Sequence, residues 1–393
     1  MMVRSALRRL EVLARLYAPA WLLVPLIARL DGNARRVDAK ATAMRRPERN
    51  YLRDKFCEKP FVDFEVANSA DVFLCCPGHL PQAVGSAKRT NAEQLLNSEL
   101  AVEIRRSMID GTFTYCDAER CPAIREKRLP KRSQVTDPEM RAHIASATGI
   151  VTAPRHVRLS YDSTCNLYCP SCRKEKISLK GTAFDEAMRI TDEVAIPVTR
   201  NARTLMMNGY GDVFSSRICR HMLSAINPTS FPNLKLIFIT NGVLLTEQEW
   251  SKFPDIHGMV QSIRVSIDAT TKEVYDKVRL GGDFQKLCCN LEFMAGLRRD
   301  GVIKEFMISM VVQRDNFRQM REFWEWGKLL GCDFVIFERL ADWNTFEPKE
   351  FAARAVHLPQ NPMKADYEAE LSALVAAAAS GGPTISGDLV KVG

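Results

Sequence analysis

Tyr161-Asp-Ser-Thr-Cys-Asn-Leu-Tyr-Cys-Pro-Ser-Cys172 places Cys165, Cys169 and Cys172 in a C-x3-C-x2-C run. It follows His156-Val-Arg-Leu-Ser-Tyr161, whose alternation predicts a strand leading into the loop. Three thiolates on one irregular loop can hold three irons of a [4Fe–4S] cube and leave the fourth iron without a protein ligand. A structural zinc site, by contrast, closes its tetrahedron with four ligands, and no fourth cysteine lies near this run. The spacing alone leaves zinc, or reduced thiols without a metal, as the alternatives.

The run at the end of a strand resembles the radical S-adenosylmethionine (SAM) enzymes, with Ser171 standing where that family often has an aromatic residue. The resemblance implies that SAM chelates the open iron and is cleaved reductively. The resulting 5′-deoxyadenosyl radical takes a hydrogen atom from a substrate. It also implies an electron donor such as flavodoxin or ferredoxin.

Downstream, strand-like runs at 156–161, 203–208, 234–239, 261–267, 306–313 and 333–338 alternate with helical patterns, which predicts βαβ units and a parallel sheet. The expected fold is α/β, a partial (β/α)6 TIM-like barrel of the radical SAM type over 151–348. Chemistry in barrels gathers at the carboxyl ends of the strands, and several stretches there resemble family motifs. Met207-Asn-Gly-Tyr-Gly-Asp212 is similar to the "GGEP" loop that holds the SAM amino group. Gly209 and Gly211 permit close backbone approach, and Asp212 stands where glutamate is common. Thr240-Asn-Gly-Val, with Asn241, is another frequent motif of the family, and Thr246 with Glu249 reads as an ordinary capping box after it. Ser266 and Asp268, two apart and therefore on one face if the strand continues, match the ribose-contacting segment. Arg279 is the candidate for the SAM carboxylate, against the plainer reading of a surface helix arginine. Gln313 is the candidate for the adenine, with Val311 packing beside it.

Residues 51–125 carry a second cysteine group, in which Cys57, Cys75, Cys116 and Cys121 surround a helical stretch from Asn91 to Met108. The pattern resembles a small α+β SPASM domain, here preceding the barrel rather than following it. That implies one auxiliary [4Fe–4S] cluster on these four cysteines, with Cys76 as the alternative to Cys75. A structural zinc on the same four also fits the spacing. Residues 126–150 read as a charged connecting helix and 349–393 as a tail, partly disordered from 370 on.

The chain has 393 residues, 46% hydrophobic and 26% charged, enough for two domains with a sizeable core. A net charge of +8 over this length does not argue for nucleic acid. Twelve unevenly spaced cysteines in a long chain argue against a disulfide scaffold and for a reducing, cytoplasmic setting. Residues 1–50 read as a helix and linker. The apolar run Leu16–Ala28 is 13 residues, short of the roughly 20 needed to span a bilayer. Its arginine flanks leave peripheral membrane contact as a further reading. Within the resembled family the auxiliary cluster implies oxidation, whereas a side-chain hydrogen donor implies epimerisation; Cys219, Cys288, Cys289, Cys332 and whichever of Cys75 and Cys76 is not a cluster ligand are the thiols outside the two ligand sets. The preferred substrate is a carbohydrate or another small hydroxylated metabolite, because residues 1–50 look too short and irregular for a leader-binding domain. Radical modification of a ribosomally made peptide is the alternative. A zinc-stapled binding module without turnover is the rival from another class.

Overall fold

The computed structural model describes residues 50–207, 210–379 and 381–389. The expected N-terminal helix and its membrane contact therefore lie outside the described residues, as does Gly209. Among the described residues no helix is long and apolar enough to cross a membrane. The chain divides into two compact units, one running to Arg158 and including Asp192–Ala202, the other comprising Leu159–Thr191 and Arg203 onward.

In the first unit, β1 (Asp63–Val66), β2 (Asp71–Phe73) and β3 (Gly85–Ser86) pair antiparallel, and β4 (His156–Leu159) flanks β1. The stretch expected to be helical from Asn91 is two helices, Ala92–Leu96 and Glu99–Ile109, because Ser98 caps the second by accepting from Ala101 N at 3.3 Å. Helix Glu99–Ile109 buries Ala101, Ile104, Arg105 and Met108. Its spacing of i, i+3, i+4 and i+7 is that of one helical face. The connecting segment contains helix Pro138–Ser146, capped by Asp137. Arg155 grips Asp137 with two bonds of 2.7 and 2.9 Å, fastening that helix to the run into β4.

In the second unit, β5 (Thr204–Met207), β6 (Lys235–Thr240), β7 (Val260–Ser266), β8 (Glu305–Val312), β9 (Phe334–Arg339) and β10 (Thr384–Gly387) lie side by side in chain order, all parallel. The sheet is open. Leu236, Phe238, Ile263, Val265, Phe306, Ile308, Val335 and Phe337 are fully buried within it. The strand-like runs read from the sequence form as β4 to β9. Strand β10 was not anticipated and corrects the reading of the tail from 370 onward. Residues Lys364–Ala378 are a helix that buries Tyr367 and Leu374, two turns apart, and Trp324 Nε1 then donates to Pro383 O at 3.0 Å as the chain enters β10. The alanine run is helical by propensity and needs only those two anchors to dock.

Candidate metal centres

The loop between β4 and the next helix is folded by its own polar groups. Cys165 N donates to Ile177 O at 3.0 Å and Leu179 N to Thr164 Oγ1 at 3.3 Å, closing the loop on itself. Asp162 accepts from Thr164 N at 2.8 Å and from the Ser216 hydroxyl. Cys172 N and Arg173 N both donate to Cys169 O, a tight turn that brings the last two thiols together.

Each sulfur of the triplet has its own donor. Cys165 Sγ accepts from Leu167 N at 3.4 Å and from Asn241 Nδ2 at 3.7 Å. Cys169 Sγ accepts from Arg279 Nη1 at 3.7 Å, and Cys172 Sγ from Arg173 Nη2 at 3.4 Å. Burial pushes the Cys165 thiol up to about 11, with the Asp212 charge adding to it and the Leu167 N–H opposing. Cys169 is also raised, first by burial; Arg279 pulls it down, while Asp268 and Cys172 push it up. Burial is the larger cause in both, and a cation placed beside these two thiols would favour their thiolates.

The remaining candidates gather around this loop. Asp212 is buried, and its carboxylate accepts from Thr240 Oγ1 (2.7 Å), Asn241 N (2.8 Å), Phe214 N (3.1 Å) and Ser215 N (3.2 Å). Its own N–H donates to Thr164 O at 2.8 Å. Asp212 therefore ties the ends of β5 and β6 to the cysteine loop. Burial raises its carboxyl, against the pull of these donors. Asn241 Nδ2 reaches Asn166 Oδ1 at 2.9 Å as well as Cys165.

Asp268 does not share a strand face with Ser266. β7 ends at Ser266, and Asp268 has φ +67°, a left-handed conformation in which residue alternation no longer applies. Turned this way, its carboxylate accepts from Val311 N at 2.7 Å and pairs with Arg279 Nη2 at 2.9 Å. Ser266 takes a 3.3 Å bond from Ser309 Oγ on β8. Arg279 is largely enclosed, its side chain 12% exposed, rather than a surface arginine, and its buried Nε has no acceptor among the described residues. Gln313 is buried just past β8, where Asn316 accepts from its N–H at 2.8 Å. Arg173, Asn166, Asp162 and Ser216 were not anticipated. Their long-range contacts span 37 to 75 residues, and no local spacing marks them.

Gly281 closes the other side of the loop. Its φ is +80°, Leu280 O accepts from Tyr168 N at 3.0 Å, and a Cβ there would lie 2.9 Å from Tyr168 Cε1 and 3.0 Å from Lys176 Cε. Gly281→Ala combines a left-handed penalty of about 1–2 kcal/mol with overpacking of similar size. We expect it to displace Tyr168, between Cys165 and Cys169, and to cut the iron retained after reconstitution severalfold while lowering the melting temperature by a few degrees. Iron analysis and a thermal melt check this, and wild-type iron content in the variant would rule it out.

In the first unit, Cys57, Cys75, Cys116 and Cys121 line one cavity together with His79, and Leu80, Met108, Phe113, Ile124 and Leu129 supply apolar walls. Cys76 is exposed and does not line it. Burial is the main reason that Cys57 and Cys75 are pushed up to about 12 and Cys116 well above its ordinary value. The charges of the neighbouring cysteines add to this, Cys121 on Cys57 and Cys57 on Cys75 and Cys116. Among the described residues, no three His, Cys, Asp or Glu side chains are placed to hold a single metal ion.

No family model and no curated protein matches the chain. Solved structures do. Streptococcus suis SuiB bound to precursor peptide SuiA is 12% identical, with 75% of this chain and 64% of that one covered and a TM-score of 0.42. TYW1 with a lysine-pyruvate adduct bound is 11% identical, with 56% and 70% covered and a TM-score of 0.35. Native anSMEcpe with bound AdoMet is 20% identical, with 59% and 63% covered and a TM-score of 0.39. The chain thus spans just under two thirds of SuiB and of anSMEcpe.

Proposed function

We propose that this chain is a radical SAM enzyme whose catalytic cluster is held by Cys165, Cys169 and Cys172. The observation that carries the proposal is the joint placement of three soft ligands and one guanidinium N–H left without an acceptor among the described residues. The three sulfurs sit on one loop, each with its own N–H donor, and Arg279 beside Cys169 has a buried Nε without an acceptor among the described residues. An orphaned buried donor costs about 1–3 kcal/mol, and an anionic group at this position would satisfy it. The donor set therefore suits a [4Fe–4S] cluster with a carboxylate-bearing ligand beside it. Held by Cys165, Cys169 and Cys172, such a cluster would supply the one electron that cleaves a sulfonium and so would begin hydrogen-atom abstraction from a substrate C–H.

The chain's own residues would divide the remaining work. The backbone of Gly209 and Gly211 would take the ammonium of SAM. Ser266 and Gln313 would face its ribose and adenine. Asp212 and Asp268 have their carboxylates engaged by protein donors, so their role is positioning: Asp212 sets Asn241 and the cysteine loop, and Asp268 sets Arg279. In the first unit, Cys57, Cys75, Cys116 and Cys121 would hold the auxiliary [4Fe–4S] cluster of a SPASM-like domain, with Cys75 rather than Cys76 as the ligand. The apolar walls would keep water from its sulfurs. Reducing equivalents would come from a donor of the flavodoxin or ferredoxin type. The ground for preferring a carbohydrate lay in residues 1–50, nearly all outside the described residues. The proposal is therefore drawn at the level of the reaction, with a peptide and a small hydroxylated molecule as its two substrate classes.

Anaerobic reconstitution with iron and sulfide should give about eight irons per chain, as two cubane clusters. Dithionite and SAM should then yield 5′-deoxyadenosine. Fewer than about four irons, or intact SAM, would overturn the proposal in favour of the zinc-stapled module. Cys116→Ala should lose about half the iron, as one of two cubane clusters, and keep SAM cleavage.

A further inference from the structure

Resting on that functional reading, we infer that Arg173 is a positioning residue that locks Cys172 to the loop after β5 and raises the reduction potential of a cluster on the triplet. Its guanidinium touches three points. Nη1 donates to Ser163 O at 2.6 Å, at the start of the cysteine loop. Nη2 donates to Cys172 Sγ at 3.4 Å, at its end, and to Tyr210 O, in the glycine loop after β5. One planar fork therefore holds both ends of the cysteine loop against the glycine loop, which a lysine ammonium on a flexible stem cannot reproduce.

The charge matters as well as the geometry. Arg279 also donates to a cluster cysteine, but Asp268 lies 2.9 Å from its Nη2 and offsets its charge. Among the described residues the acceptors of Arg173 are two carbonyls and a sulfur, none of them a carboxylate. Its positive charge thus remains available to the sulfur it touches. Reduction adds one negative charge to a cluster, and a cation and N–H donor at a ligand sulfur stabilise the more negative state. The potential is therefore higher with Arg173 than without it. Cys172 is exposed, and solvent screening keeps the effect moderate.

The test is an EPR-monitored redox titration of reconstituted full-length protein without SAM, so that activity plays no part. The relevant cluster is identified by the signal that Cys169→Ala removes. Arg173→Gln should move its midpoint to more negative potential, changing the reduced-to-oxidised ratio at fixed poise by about threefold to tenfold, tenfold being 59 mV for one electron. Lys174→Gln, which removes the same charge from the neighbouring position, should leave the midpoint in place. An unmoved midpoint in Arg173→Gln, or an equal shift in Lys174→Gln, overturns the inference alone. A wild-type protein with no Cys169-dependent signal overturns the functional reading and the inference with it. If Arg173→Gln does not hold the cluster, chelator-driven iron release from Arg173→Lys decides. Severalfold faster release than wild type supports the positioning role, and an unchanged rate overturns it.

Discussion

Cys169→Ala should abolish SAM cleavage, reducing 5′-deoxyadenosine to the level of a no-enzyme control, a loss of at least about a thousandfold on the scale of removing an essential catalytic group. Cys169 is the middle ligand and the most buried of the three, 6% exposed, with Arg279 on its sulfur and Cys172 folded back onto its carbonyl. Without it, two thiols remain for a cube that needs at least three protein anchors, and the triplet's share, about four irons, is lost. The fold should survive, because alanine keeps the backbone turn and removes only a sulfur. Circular dichroism and melting temperature should stay near wild type while iron falls by about half, given two cubane clusters. The pairing with Cys116→Ala gives the result its force: both variants lose about half the iron, but only one loses cleavage. Equal cleavage in the two variants would show that the triplet is not the catalytic site.

Much of this could be read from the sequence because it is local. The cysteine spacing is a property of eight consecutive residues, and the strands announced themselves by apolar runs between helical patterns. The four cysteines of the first unit, spread over 65 residues, do line one cavity, with Cys76 turned away from it. What sequence could not supply was direction. Asp268 looked like a ribose ligand by alternation, but a left-handed residue after β7 turns its carboxylate onto Arg279 and Val311 N. Asp212 looked like part of a cofactor loop, yet protein donors engage its carboxylate. In both cases a long-range hydrogen bond sets where the carboxylate points, and residue type and spacing do not encode which partner will arrive. The tail misled for a different reason. Its composition is that of a disordered segment, but Tyr367, Leu374 and Ile385 are buried and anchor it.

Arg105→Met should bring down the first unit. Arg105 is fully buried, and its guanidinium donates to Pro60 O (2.8 Å), Asn97 Oδ1 (3.2 Å), Gly149 O (3.1 Å) and Leu96 O (2.8 Å), with no carboxylate among its partners. Burial pulls the guanidinium down to about 9. Methionine would relieve the cost of burying that charge but would take this donor from the carbonyls of Pro60, Leu96 and Gly149, while Asn97 Oδ1 keeps Val151 N at 3.0 Å. Each orphaned acceptor costs about 1–3 kcal/mol, and together they approach the 5–15 kcal/mol that usually separates folded from unfolded. The oxygens belong to segments far apart in the chain, so no other side chain can serve them all. Lysine keeps the charge but cannot reach acceptors lying in several directions, and it should fall between methionine and wild type. The damage should extend to the thiol cavity. Pro60, three residues after Cys57, and Met108, one turn beyond Arg105, both line it. The Met variant should therefore melt at least about 10 °C lower, in line with the shift of about 2–8 °C per kcal/mol for domains of this range, and should bind about half the iron, the triplet's cubane remaining. A melt and iron content matching wild type would show that Arg105 is dispensable and that the first unit is held by its apolar core alone.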